Sequence, residues 1–131
     1  MKKTIGGIEF DFAFTVEAQK KIEEKFGGMD KNHIEKIFDT TNRGEFFDNM
    51  LFMTETLIDA ANHRENIKKQ ILGELTQPQK QITKEQLEMM VTPGEVPGLE
   101  RCIIETIKDG NKVEVEIEPQ KEKNAEATQS E

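Results

Sequence analysis

Two histidines, one cysteine and 26 carboxylates are the side chains with which this chain could do chemistry. A metal site needs ligands that recur at short spacing, so that several reach one ion. Neither His33 nor His63 sits in a His-Glu-x-x-His pattern, and neither has a cysteine at metal spacing. Both read as exposed histidines on helix surfaces. A reactive thiol needs an accessible, electropositive setting. Cys102 falls on the apolar side of a helical pattern, where a buried, inert thiol is expected.

Asp39 to Gly44 has the outline of a calcium loop, Asp-x-Thr-x-x-Gly. That register puts Arg43 where an oxygen ligand is needed and Met50 where the bidentate Glu should be, so calcium is not expected. Gly6-Gly7 and Gly27-Gly28 are lone pairs without the spacing of a phosphate-binding loop. Paired carboxylates of the glycosidase kind work in clefts that also hold sugar. With no Trp and no Tyr, the chain is poorly equipped for that task. No catalytic, metal-binding or cofactor-binding residue is therefore expected, and the chain does not read as an enzyme.

Composition points to protein partners. The 131 residues suit one domain with a modest core. The formal net charge is -8, with 34% charged residues, which disfavours nucleic acid because phosphate affinity comes from Lys and Arg. The longest apolar run, Met50 to Met53, is far short of the ~20 residues that span a bilayer. Glu9 and Asp11 interrupt the segment that a secretory signal would need to keep apolar.

The periodicities predict the elements around these residues. Ile8, Phe10, Phe12 and Phe14 alternate with polar or small residues, as a half-buried strand does. Gly6-Gly7 supplies a tight turn to a first strand over 2–5. The period then changes to that of a helix. Thr15 caps a helix with Ala18, Ile22 and Phe26 on one face, and Gly27-Gly28 ends it. Glu17 and Lys21 are ordered for an ion pair along it. Asp30 caps a short second helix carrying Ile34, Ile37 and Phe38.

Asn42 caps a third helix whose stripe holds Phe46, Phe47, Met50, Leu51, Leu57, Ile58 and Ala61. That helix is expected to end near Asn62. Ile67, Ile71, Leu72 and Leu75 predict a separate short helix, followed by a loop over 76–82. Thr83 and Gln86 form a capping box that opens a short helix through Leu87 and Met90. Pro97 starts a last helix ended by Gly110. A strand over 113–117 is possible, and 118–131 reads as a disordered polar tail. The fold expected is mainly α with a small N-terminal β-hairpin: a compact domain of about five to six helices over 1–117.

At ~100° per residue, Phe52 points away from the apolar stripe of the third helix. It either packs beneath another segment, the loop or the last helix, or waits for a partner. Met53, Met89 and Met90 are the other candidates for partner contact, because Met adapts to varied surfaces.

The order of these pieces resembles the tail assembly chaperones of long-tailed bacteriophages and prophages. The resemblance lies in the hairpin Ile5-Gly6-Gly7-Ile8-Glu9-Phe10 and in the helix from Phe14-Thr15 through Ala18 to Ile22-Glu23-Glu24-Lys25-Phe26-Gly27. It continues in a long central helix ending at Ala60-Ala61-Asn62-His63, in Ile82-Thr83-Lys84-Glu85-Gln86-Leu87, and in a short last helix. It covers roughly residues 3 to 109, and the long 64–82 connection departs from it.

The resemblance implies a protein in the cytoplasm of an infected bacterium. There it would keep the tape measure protein soluble, promote polymerisation of tail tube protein around it, and stay out of the finished virion. Many relatives also have a longer, frameshifted form, and self-association is possible. The competing reading is an acidic regulatory protein, antitoxin-like, that holds one basic partner by charge.

Overall fold

A computed structural model describes residues 1–76 and 80–112. The expected strand at 113–117 and polar tail at 118–131 lie outside the described residues. Within them the fold is mainly α with an N-terminal hairpin, as the periodicities predict.

Strands β1 (Lys2–Ile5) and β2 (Ile8–Asp11) pair antiparallel, with Lys2 opposite Asp11 and Ile5 opposite Ile8. Gly6 and Gly7 turn the chain with φ of 57° and 82°, a doubly positive pair that an L side chain resists. Beyond β2 the extended chain continues, and Ala13 N–H donates to the Leu57 carbonyl at 3.1 Å. Phe10 and Phe12 point into the core, while Ile8, at the tip, stays exposed.

Helix α1 (Val16–Phe26) starts where Thr15 Oγ1 accepts from Ala18 N–H at 3.2 Å. It ends where Gly27 adopts φ 91°. Helix α2 (Lys31–Ile37) is capped by Asp30. The same Asp30 carboxylate holds the His33 ring at 2.8 Å. Helix α3 (Arg43–Ile71) is capped by Asn42, which accepts from Glu45 N–H. Helix α4 (Lys84–Met90) has the full capping box of Thr83 and Gln86. A 3-10 turn (Pro93–Glu95) leads into α5 (Val96–Gly110), with Pro97 in its first turn.

α3 is the axis of the molecule. It packs against α1, α2, α4, α5 and β2. Met50, Met53, Thr54, Leu57 and Ile58 along it are sealed from solvent. Its buried positions, from Phe46 to Asn62, sweep about 240° of circumference at ~100° per residue. A helix so enclosed buries polar side chains only when they are satisfied. Thr54 Oγ1 donates to the Met50 carbonyl, and Asn62 Nδ2 to the Lys80 carbonyl at 2.8 Å.

Two expectations need correction. The third helix does not end near Asn62, and Ile67 and Ile71 belong to it rather than to a separate short helix. α3 runs unbroken to Ile71, since neither Gly nor Pro interrupts the segment, and Arg, Glu, Lys and Gln are good helix formers. Its end is set by Gly73 at φ 74°, where Gly73 N–H donates to the Gln70 carbonyl and Glu74 N–H to that of Lys69. Glu17, expected to pair along its own helix, instead binds His63 Nδ1 at 2.8 Å and ties α1 to α3.

Gly110, expected to stop the last helix, is instead its final helical residue, with Asn111 as the cap, and its lack of a side chain serves packing. A Cβ placed there would lie 2.6 Å from the Phe14 carbonyl oxygen and 2.7 Å from Phe14 Cβ. Gly110→Ala gains at most ~1 kcal/mol of helix propensity, less at a terminus. Overpacking against backbone costs ~1–3 kcal/mol, so the clash wins. A lower midpoint in denaturant at unchanged m is the expected result.

Candidate docking surface

Past Asn62, α3 leaves the body as an arm. Its apolar side chains are exposed, Ile67 at 52% and Ile71 at 79%, and Leu72 at 67% and Leu75 at 88% follow just past the helix end. Isolated exposed apolar residues are ordinary, but a row of them is not. Ile67 and Ile71, one turn apart, share a face with Ala60, which is buried. The row thus begins in the core and runs out into solvent. At its base a groove of about 380 Å³ lies between the start of α1 and α3, lined by Thr15, Ala60, Arg64 and Ile67 among others. Val16, 77% exposed, stands beside it on α1.

The edges of the row are charged. Arg64 and Lys68 flank Ile67 and Ile71 on one side at helical spacing, and His63 and Gln70 on the other. Lys68 makes only a long 3.9 Å pair with Glu65, both side chains largely in water. Three basic residues, Arg64, Lys68 and Lys69, thus lie on the arm of a chain whose net charge is -8.

The four residues singled out for partner contact do not form one site. Met53 is fully buried, so it is not a contact residue in this fold. It lies off the stripe but still inside, because α3 is covered on more than one side. Phe52 is half-buried. Phe26 of α1 meets its ring edge-on, centroids 5.6 Å apart at 83°, and Lys25 Nζ lies 5.5 Å from the ring centre. Met90 is half-buried and lies against Gly6 of the hairpin turn. Met89 alone is open, at 79%. The arm was written in the sequence as Ile67, Ile71, Leu72 and Leu75. Assigning those residues to a packed helix concealed it.

Two further apolar clefts open on the body. One, about 320 Å³, lies between α1, α2 and α5 and is lined by Phe14, Met29, Ile34, Phe38 and Ile107 among others. The other, about 480 Å³, lies where α3 meets α4 and the start of α5, with Phe47, Leu51, Val91 and Val96. Both are floored by side chains that already pack on the core, unlike the arm.

The titratable groups are arranged for structure. The Cys102 thiol is buried and its pKa is pushed up by that burial. Glu55 is raised by burial and by Asp59, although it accepts a bond from the Lys84 backbone N–H at the start of α4. Asp59 is raised by burial, against the attraction of Lys21 and His63. Asp30 and Asp39 are lowered, by bonds from His33 and Thr41 respectively.

A raised carboxylate favours the protonated folded state, so its burden on stability is present at neutral pH and lifts on acidification. Asp59→Asn is therefore expected to raise the thermal midpoint at pH 7. The gain should vanish as the pH falls through the raised pKa of Asp59 towards its ordinary 3.8. The difference between the two proteins is the quantity to follow, because Asp30 and Asp39 lose their own contributions over the acid range.

No helix among the described residues is long and apolar enough to cross a membrane. Among the same residues, no three His, Cys, Asp or Glu side chains converge as a metal site would need. Comparison with protein-family models, curated proteins and solved structures finds no match.

Proposed function

We propose that the chain is a tail assembly chaperone of a long-tailed phage or prophage. In this reading it binds the tape measure protein and keeps it soluble while tail tube protein assembles around it. The observation that carries the reading is the exposed apolar pair Ile67 and Ile71 at the end of α3, with Leu72 and Leu75 exposed just beyond it. A long helical client with apolar faces aggregates unless those faces are covered, and a helix-to-helix contact covers them. The acidic remainder of the chain keeps such a complex dispersed. The sequence resemblance supports the same role, in a bacterial cytoplasm and outside the finished virion. Many copies along one client would multiply a modest affinity.

The test is co-expression with the longest protein encoded just downstream, followed by pull-down at low and high salt. The chaperone reading expects the client to be soluble only with this chain, in a complex that survives high salt. The acidic regulatory reading, an antitoxin-like hold on a basic partner, draws on the net charge of -8. It expects a small basic partner, released steeply by salt. No binding at all removes the tape measure assignment.

A further inference from the structure

We propose that the arm of α3 selects one kind of partner: an amphipathic helix whose apolar row is edged by Asp and Glu. The proposal deepens the chaperone reading by naming the chemistry of the client segment, and rests on that reading only for the client's identity.

The apolar half of the argument is the row itself. Ile67 and Ile71 stand one turn apart near the end of α3, both more than half exposed, and Leu72 and Leu75 lie exposed just beyond the helix. One turn is the spacing at which one helix lays its apolar side chains into another. The groove at the foot of the arm, between Thr15 and Ile67, continues the row to the body and can take one end of the incoming helix.

The charged half chooses the occupant. Arg64 and Lys68 border the row on one side, while Lys69, two residues from each isoleucine, lies on the opposite face of the helix. A helix with carboxylates at its edges meets opposite charge along that border, whereas one with Lys edges meets like charge. A second copy of this chain is a poor occupant for the same reason. In an antiparallel pair of arms like edges face each other, so Arg64 and Lys68 of one copy would meet Arg64 and Lys68 of the other. Elsewhere on the surface, the outer face of α1 offers one exposed apolar side chain, Val16, among Glu17, Lys20, Lys21, Glu23 and Glu24. That is too little to bury the row. Asn66 lies on another side of the helix, near Asn62, whose amide holds the returning chain at Lys80.

Two synthetic amphipathic helices with the same leucine row serve as probes, one edged with Glu and the other with Lys. Fluorescence anisotropy against the full chain is expected to show the Glu-edged helix bound at least roughly tenfold tighter at low salt. Ile71→Asp should abolish binding of both. The double variant Arg64→Glu/Lys68→Glu should reverse the preference, with circular dichroism unchanged because all these side chains lie outside the core. Equal binding of the two probes, a preference that survives the charge reversal, or binding retained by Ile71→Asp would each overturn the proposal. So would a dimer in sedimentation that Ile71→Asp disperses, which would give the arm to a second copy. If the probes behave as expected while the tape measure candidate stays insoluble, the chaperone reading fails and the partner chemistry stands. If the client is held equally well by Ile71→Asp, the reading stands and the arm does not serve it.

Discussion

Replacing Ile67 and Ile71 together by Asp is expected to abolish client holding while leaving the protein as stable as before. Ile71 lies largely in water and Ile67 is about half exposed at the rim of the groove, so their loss removes little core packing. Surface changes of this kind usually stay within about 0.5 kcal/mol, and Ile and Asp differ little in helix propensity. In a complex the account is different. Burying each isoleucine is worth roughly 1.5–3 kcal/mol, and burying a carboxylate in its place adds a desolvation cost. Two such sites together weaken binding by at least about a hundredfold. The measurement pairs two readouts: client solubility on co-expression, and the thermal midpoint of the variant alone. A variant that melts normally and still holds its client would show that the arm is not the surface used. A lowered midpoint would mean that the arm packs on something within the chain.

Leu57→Ala is expected to be the most damaging single truncation on the axis of the fold. Leu57 is fully buried near the middle of α3, the helix against which α1, α2, α4 and α5 all pack. Its carbonyl also receives Ala13 N–H, so the extended chain after β2 is anchored at the same turn. Large-to-small changes at such sites cost about 2–5 kcal/mol, the lost transfer energy plus the cavity left behind. A domain of this size has only ~5–15 kcal/mol to lose. The thermal midpoint should fall by roughly 10 °C or more. Thr54→Val, at an equally buried site three residues away, is the control. It keeps the volume and removes a hydroxyl whose partner, the Met50 carbonyl, already serves the helix. A smaller loss at Thr54 than at Leu57 would place the cost in packing; equal losses would place it in the helix itself.

Legibility differed by the range of the interaction. The hairpin turn at Gly6-Gly7 and the caps at Thr15, Asp30, Asn42 and Thr83 all lie where the residue types predict. Each depends on bonds within about four residues, so the information sits in a short window. The inert setting of Cys102 was legible too, from its place on one face of α5. The length of α3 was less legible, because its buried face stops at Asn62 while the helix continues to Ile71. Helix stop signals are a left-handed residue or a proline, and the first is Gly73.

Met53, Phe52 and the arm show the other limit. Periodicity says which residues share a face, but not how many faces are covered. Met53 is buried because several helices, drawn from both halves of the chain, enclose α3. Phe52 is sheltered by Phe26, whose position follows from how α1 lies across α3. Ile67 and Ile71 are bare for the converse reason. The same amphipathic pattern that predicts burial carries on past the part of α3 that the other described elements enclose. By itself, then, the sequence determined the identity and starting points of the elements and the excess of negative charge. The tertiary structure alone decided which apolar faces found partners, because burial depends on what arrives from elsewhere in the chain. Among the described residues that decision left Ile67 and Ile71 exposed at the end of α3, with Arg64 and Lys68 along one side of them.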